Sequence, residues 1–374
     1  MRANSIVGIL FSNVHDDKIP ELTQNRTMAS VPFGGRYRLI DFPLSNMVNS
    51  GIYSVGVVTN SNFKSLMDHL GSGKAWDLSR KKEGLTLLPP FNGSAAYGGV
   101  YNSRVDALVS IRNFLQSAQE KYVLLSDCDI VCNMDYRKVI DAHIKNNADI
   151  TAVYAYGDVP ANMNEPTIYS LDSDGKVQEM LINPKLSGPA NYGLNMYIIN
   201  RDVLLDILAD CASRNLSNFK RDVIQRNISN YNFFAYQFEG YAKVIGSIQD
   251  YYDANMELMQ EDVRAQLFDP KRPIYTKVRD HMPAHYGLNA CLNNSMVADG
   301  SVIEGTVDDC VLFRGVKIGK NSTVDHCVIM QDAAIGDNCK LSHVIIDKDV
   351  VVTDGTSISG TESYPVSISK GSVV

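Results

Sequence analysis

The C-terminal part of this chain repeats itself every 17 residues, and no other feature limits its fold as tightly. Ile318, Ile335 and Val352 mark one register, Val307, Val324, Leu341 and Ile358 a second, and Val311, Val328 and Ile345 a third. Within a coil, pairs such as Ile318/Val324 and Ile335/Leu341 stand six apart. A six-residue step with one inward aliphatic side chain per flat face, three faces per turn, is the hexapeptide pattern of a left-handed parallel β-helix. Gly, Asn and Asp supply the corners, where tight turns need them. An irregular β-sandwich would not hold three registers to one period. Residues 293–374 have room for about four coils. So short a stack should pack on the rest of the chain or on another subunit.

The preceding residues follow a different grammar. Apolar strand-like runs at Ile6–Phe11, 54–59, 122–126 and 150–154 alternate with helical spacings at 42–49, 63–70, 105–114 and 136–146. Such alternation predicts an α/β domain of Rossmann-like type over residues 1–265, with a mixed, mainly parallel sheet covered on both faces. Ligands then sit beyond the C-terminal ends of the strands, where Asp127 and Asp129 fall. A connecting helix is expected at 257–267. Asp269-Pro270 and Arg272-Pro273 mark a linker over 266–292.

Composition narrows the partners. The 374 residues carry a net charge of −7, which argues against nucleic acid or an anionic membrane as main partner. Seven cysteines are dispersed; Cys128 and Cys132 have no matching second pair, so no zinc site is expected. Unpaired, scattered thiols fit a reducing compartment. The short apolar run at Ile6–Phe11 is neither a signal core nor a membrane span. A cytoplasmic protein is expected.

Five blocks carry a family resemblance: RTMASVPFGGRYRLIDFPLSNMVNSG (26–51), GSGKAWDLSR (71–80), LTLLPPFNG (85–93), SDCDIVCNMDY (126–136) and FEGYAKVIGSIQDYYDANMEL (238–258). With the β-helix, they make the chain resemble ADP-glucose pyrophosphorylase (glucose-1-phosphate adenylyltransferase) along essentially its whole length. The resemblance implies a nucleotidyltransferase domain that joins glucose 1-phosphate to ATP and releases pyrophosphate. That transfer needs cations over the phosphates, a backbone cradle and Mg2+ between carboxylates.

Measured against that family, the chemistry is depleted. The glycine-rich phosphate loop reads FSNVHDDKIPELT (11–23), with Lys18 in place of the arginine; without glycine the backbone cannot easily approach phosphates, and Asp16 and Asp17 repel them. The lysine of the family's next motif falls at Met28. Its Glu-Lys-Pro sugar-phosphate motif becomes Ile182-Asn183-Pro184. Ser103 and Arg104 replace a glycine and a threonine, and the second metal carboxylate falls at Val244. Asp129 remains as the one metal-binding carboxylate, and Tyr101 and Asp106 as remnants of substrate binding. One carboxylate cannot position Mg2+ as two would. The pattern resembles the GlgD-type regulatory subunit, which implies no tightly bound cofactor, Mg2+ only in a catalytic paralogue, and assembly with that paralogue or, alone, into a homo-oligomer.

What survives is a basic cluster. Arg26, Arg36 and Arg38 lie beside Gly34-Gly35 and suit a phosphorylated metabolite; alternatively Arg36 and Arg38 pair with Asp41 and only tie the loop down. His326 and His343 are one coil apart and should stack as a structural ladder. Trp76 is expected to be a packing anchor and Cys128 an apolar filler. Two rival functions stay open: an active nucleotidyltransferase with altered or weak sugar-phosphate use, and a stand-alone metabolite sensor.

Overall fold

In the computed structural model, described for residues 5–90, 101, 103–163, 165–185 and 188–374, the N-terminal sheet is built around Ile6–Phe11. All six of its side chains are buried, as expected of a strand covered on both faces. It pairs in parallel with Ser54–Val58 on one side and Tyr122–Asp127 on the other. Gly84–Leu88 extends the parallel edge. The long strand Ala190–Asn200 runs antiparallel to Tyr122–Asp127 and to Ile150–Gly157, which makes the sheet mixed. Gly8 is required by packing: a Cβ there would lie 2.5 Å from Met47 Sδ on the helix Asp41–Asn49. Two apolar clusters cover the two faces of the sheet.

Two expected helices are broken. Residues 105–114 form Arg104–Ser110 and Arg112–Ser117, separated at Ile111. Ser110 donates its hydroxyl to the Ala107 carbonyl at 2.6 Å, the local competition that weakens serine in helix interiors. Residues 257–267 form a 3-10 turn, Glu257–Met259, and a helix, Glu261–Leu267, divided by extended Gln260. The tail of the block at 85–93 lies outside the described residues.

The C-terminal domain is a left-handed parallel β-helix of three five-stranded parallel sheets. Its first rung begins at His285–Tyr286, inside the segment read from sequence as linker, so it has five rungs rather than about four. Cys291 pairs with Thr306 and Met296 with Val311, a step of 15 residues, whereas later rungs step by 17, as in Thr323↔Lys340. The short first coil breaks the period and hid that rung. One corner uses positive φ in successive coils at Asn294, Asp309, His326 and His343, where short polar side chains tolerate the left-handed region.

The two domains share a core. Ile19, Met28, Val31, Phe33 and Leu258 pack with Val311, Phe313, Val328 and Ile345. The short β-helix thus covers one flank on the first domain, as its length requires.

Candidate functional site

The parallel strands bring their C-terminal ends together, and register places Phe11 opposite Asp127. The loop after Phe11 turns back through a 3-10 turn, Asp16–Lys18, and delivers His15 to the carboxylates. His15 Nε2 lies 3.0 Å from Asp127 Oδ2 and 3.3 Å from Asp129 Oδ2. All three groups are buried. The Arg104 guanidinium, at the start of its helix, donates to the same oxygen of Asp127.

Electrostatics follow from this packing. Burial alone works against an imidazolium, but Asp129 and Asp127 outweigh it and raise the His15 pKa. Burial likewise opposes the charged form of Asp127, and Arg104 and His15 overcome it, holding that carboxyl low. Asp129 lacks the guanidinium contact, and burial pushes it up. Asp16 is pushed up to about 6 by burial, although it accepts hydrogen bonds from the Met28 amide and Asn13 Nδ2, each at 2.6 Å. Its carboxylate ties the remodelled loop to the segment behind it.

The replaced positions have new occupations. Lys18 Nζ lies 3.3 Å from Asp17, outside the carboxylate cluster. Met28 is 1% exposed and belongs to the core shared by the domains. Val244 is buried at the end of Ala242–Val244, paired with Ile130. Asn183 follows Val177–Ile182, is exposed, and has φ of +52°. Tyr101 donates its hydroxyl to the Pro89 carbonyl at 3.2 Å. Asp106 sits in the first turn of Arg104–Ser110, its amide bonded to Ser103 Oγ at 3.1 Å. Tyr101 and Arg104 line a cavity of about 170 Å³ with Phe11, Asn13, Val58 and Asn60.

The residues present do not fit the Mg2+ that the family resemblance implies. An apolar core side chain stands at the second ligand position, and the remaining carboxylate shares its surroundings with an imidazole and a guanidinium.

A second charged region lies where the domains meet. Arg26 is committed, its Nη2 donating to Asp347 of the β-helix at 2.7 Å. Arg38 donates through Nη1 to the carbonyl and hydroxyl of Ser65, both at 2.8 Å, while Asp41 accepts from its backbone amide. Burial lowers the Arg38 pKa to about 10. Arg36 and Arg38 line a small pocket with Lys277, Arg279, Arg314 and His69. Lys348, beside Arg38 and Arg26, is lowered to about 6, chiefly by burial. The structure thus brings Arg36 and Arg38 to one pocket and sets Arg26 aside as an interdomain tie.

Sequence reasoning missed His15, Lys277, Arg279, Arg314 and Lys348. His15 sat within the altered loop; the others carried no local signal, because only the docking of the domains collects them. His326 and His343 stack at 5.0 Å with planes 6° apart. Trp76 is 1% exposed against His69, and Cys128 lies in the sheet core.

Among the described residues, no helix is long and apolar enough to cross a membrane. Residues 17–261 match the family model "Nucleotidyl transferase", and residues 282–364 match "GlmU-like, C-terminal hexapeptide". Similar curated proteins include "Glycogen biosynthesis protein GlgD" of Bacillus subtilis, 34% identical over 85% of this chain and 82% of that protein. The protein of the same name from Geobacillus stearothermophilus is 39% identical, with the same coverage. "Glucose-1-phosphate adenylyltransferase" of Clostridium botulinum is 35% identical over 86% of this chain and 84% of the relative. Fold, domain order and likeness agree: the chain belongs to the glucose-1-phosphate adenylyltransferase family of nucleotidyl transferases.

Proposed function

We propose that this chain is a cytoplasmic, catalytically poor regulatory subunit of glucose-1-phosphate adenylyltransferase in glycogen biosynthesis. The observation that carries the reading is the strand-end cleft, where Asp127 and Asp129 are engaged by His15 and Arg104 and the second metal carboxylate is Val244. A site that transfers a nucleotidyl group needs preorganised positive charge free to meet phosphates. Here the cations next to the carboxylates are already spent. The retained relationship to GlgD proteins supports the same reading.

On this proposal the chain holds no cofactor, Mg2+ acts only in the catalytic paralogue, and the two chains assemble. The pocket of Arg36, Arg38, Lys277, Arg279 and Arg314 takes a phosphorylated metabolite, because forked guanidinium groups bind phosphate bidentately. Alone the chain forms a homo-oligomer.

The test is to purify the chain alone, the catalytic paralogue alone, and the two mixed, then to assay pyrophosphate release and sedimentation. The isolated chain should fall at least about 100-fold below the paralogue, the scale expected when transition-state charge stabilisation is missing. The mixture should co-sediment with altered affinity for substrate or effector. A turnover within about tenfold of the paralogue would favour the active-enzyme alternative. Failure to co-sediment, with unchanged paralogue kinetics, would leave the stand-alone sensor.

A further inference from the structure

The carboxylate pair at the end of Tyr122–Asp127 departs from its family in a way that residue losses alone do not describe. Cations have been added as well as removed. Arg104 is 8% exposed, and its guanidinium lies 5.1 Å from the Phe11 ring and 4.9 Å from the Phe219 ring. Held between two aromatic faces and bonded to Asp127, it is a built-in group with no room to swing aside. His15 bridges the two carboxylates at 3.0 and 3.3 Å from a single nitrogen. Lys220, donating to the Glu165 carbonyl at 2.6 Å, adds a third positive group near both aspartates. Arg104 and Lys220 alone match the two carboxylate charges. A divalent ion would bring surplus positive charge among groups shielded from water, where like charges repel most strongly.

We propose that Arg104 and His15 are resident counter-cations that stand in for a divalent metal, so that this cleft is metal-independent by construction. The proposal does not depend on whether the chain assembles with a paralogue. The carboxylates themselves remain competent acceptors: Oδ1 of Asp127 and Oδ1 of Asp129 are both buried without a hydrogen-bond partner. Withdrawing the resident cations should therefore create a metal site where none operates. One rival uses the same atoms, since His15, Asp127 and Asp129 have the mutual spacing of a three-ligand metal site. The two readings predict opposite behaviour of the unaltered protein.

The experiment titrates the full-length chain with Mn2+ and follows free Mn2+ by electron paramagnetic resonance. The unaltered protein should show no site tighter than about 1 mM, the weak end of oxygen-ligand sites. The double variant Arg104→Ser/His15→Asn should gain one site at least about tenfold tighter, and adding Asp129→Asn should abolish it. Sub-millimolar binding by the unaltered chain, lost in His15→Asn or Asp129→Asn, would overturn the proposal in favour of the rival. A folded double variant that gains no site would overturn it too. Should the double variant not fold, His15→Asn alone decides, because removing one counter-cation must strengthen Mn2+ binding. The melting temperature of the unaltered protein supplies a further measurement: it should not move with Mn2+ or with chelator, and a rise in Mn2+ abolished by Asp129→Asn counts against the proposal.

Discussion

At the residue scale, the altered positions are embedded too deeply for single reversals to restore chemistry. Val244 is 4% exposed and pairs with Ile130, next to Asp129. Val244→Asp would bury a second carboxylate in apolar surroundings, and an uncompensated buried charge costs on the order of 3–5 kcal/mol. The expected result is a lower melting temperature and no gain in pyrophosphate release; robust activity with unchanged stability would show a site nearly intact. Met28→Lys should behave alike, since Met28 packs in the core between the domains. Asp16 makes a prediction of opposite sign. Its folded-state pKa of about 6 lies above its ordinary 3.8, mainly through burial. The folded state therefore holds a proton that the unfolded state releases, and stability falls as pH rises through that window. The penalty is absent below the lower value and complete above the upper one, on the order of 2 kcal/mol. Asp16→Asn keeps an acceptor for the Met28 amide, so it should raise the melting temperature at pH 8 and flatten its dependence between pH 4 and 6. A variant less stable at pH 8 would contradict this. Much of this scale was legible in sequence as loss, because a missing glycine or lysine is visible one residue at a time. The compensating contacts were not, since His15 and Arg104 are 89 positions apart and meet only through the sheet.

At the element scale, period was the readable quantity. Three registers held at 17 residues gave the β-helix and its inward side chains, and five-stranded sheets with Val324 and Leu341 in register follow from them. Where length deviates, reading failed: the 15-residue step after Cys291 displaced the domain's start, and helix breaks at Ile111 and Gln260 depend on local backbone competition that periodicity ignores. Successive coils pack so closely that corner glycines are fixed by contact with their neighbours. A Cβ on Gly319 would lie 2.4 Å from the Gly336 carbonyl and 2.5 Å from Asp337 Oδ1. Gly319→Ala should force adjacent coils apart and cost about 1–3 kcal/mol, the usual scale of overpacking, read as a lower midpoint in denaturant with the slope unchanged. The same change at Gly355, where an added Cβ meets nothing within 4 Å, is limited to the strain of its φ of +77° and should cost less. Equal losses at the two sites would show that coil contact does not decide.

At the scale of the whole molecule, docking the β-helix on the first domain collects positive charge from four separate stretches of sequence. Arg36 and Arg38 come from the N-terminal block, Lys277 and Arg279 from the connection, Arg314 from the β-helix, and Lys348 from a later coil. Lys348 faces Arg38, Arg26 and Lys370, with Asp347 as its one acidic neighbour, and burial together with those arginines lowers it from 10.5 to about 6. Near pH 8 it is therefore mostly neutral in the folded protein, whereas the unfolded chain keeps it charged. An anion bound beside it reverses part of that balance, because a negative charge favours the ammonium. Binding must then take up a proton, and affinity must rise as pH falls from 8 towards 6. Sulfate isolates the effect, since its own charge is constant over this range, and His69, lowered by burial against Asp41, titrates beneath most of it. Sulfate should raise the melting temperature more at pH 6 than at pH 8. Lys348→Met should remove the difference between the two pH values, and Arg36→Ala should shrink the sulfate response at both. A sulfate response independent of pH in the unaltered chain, or one untouched by Arg36→Ala, would mean that the anion binds elsewhere and that the interdomain cations serve only to hold the two domains together.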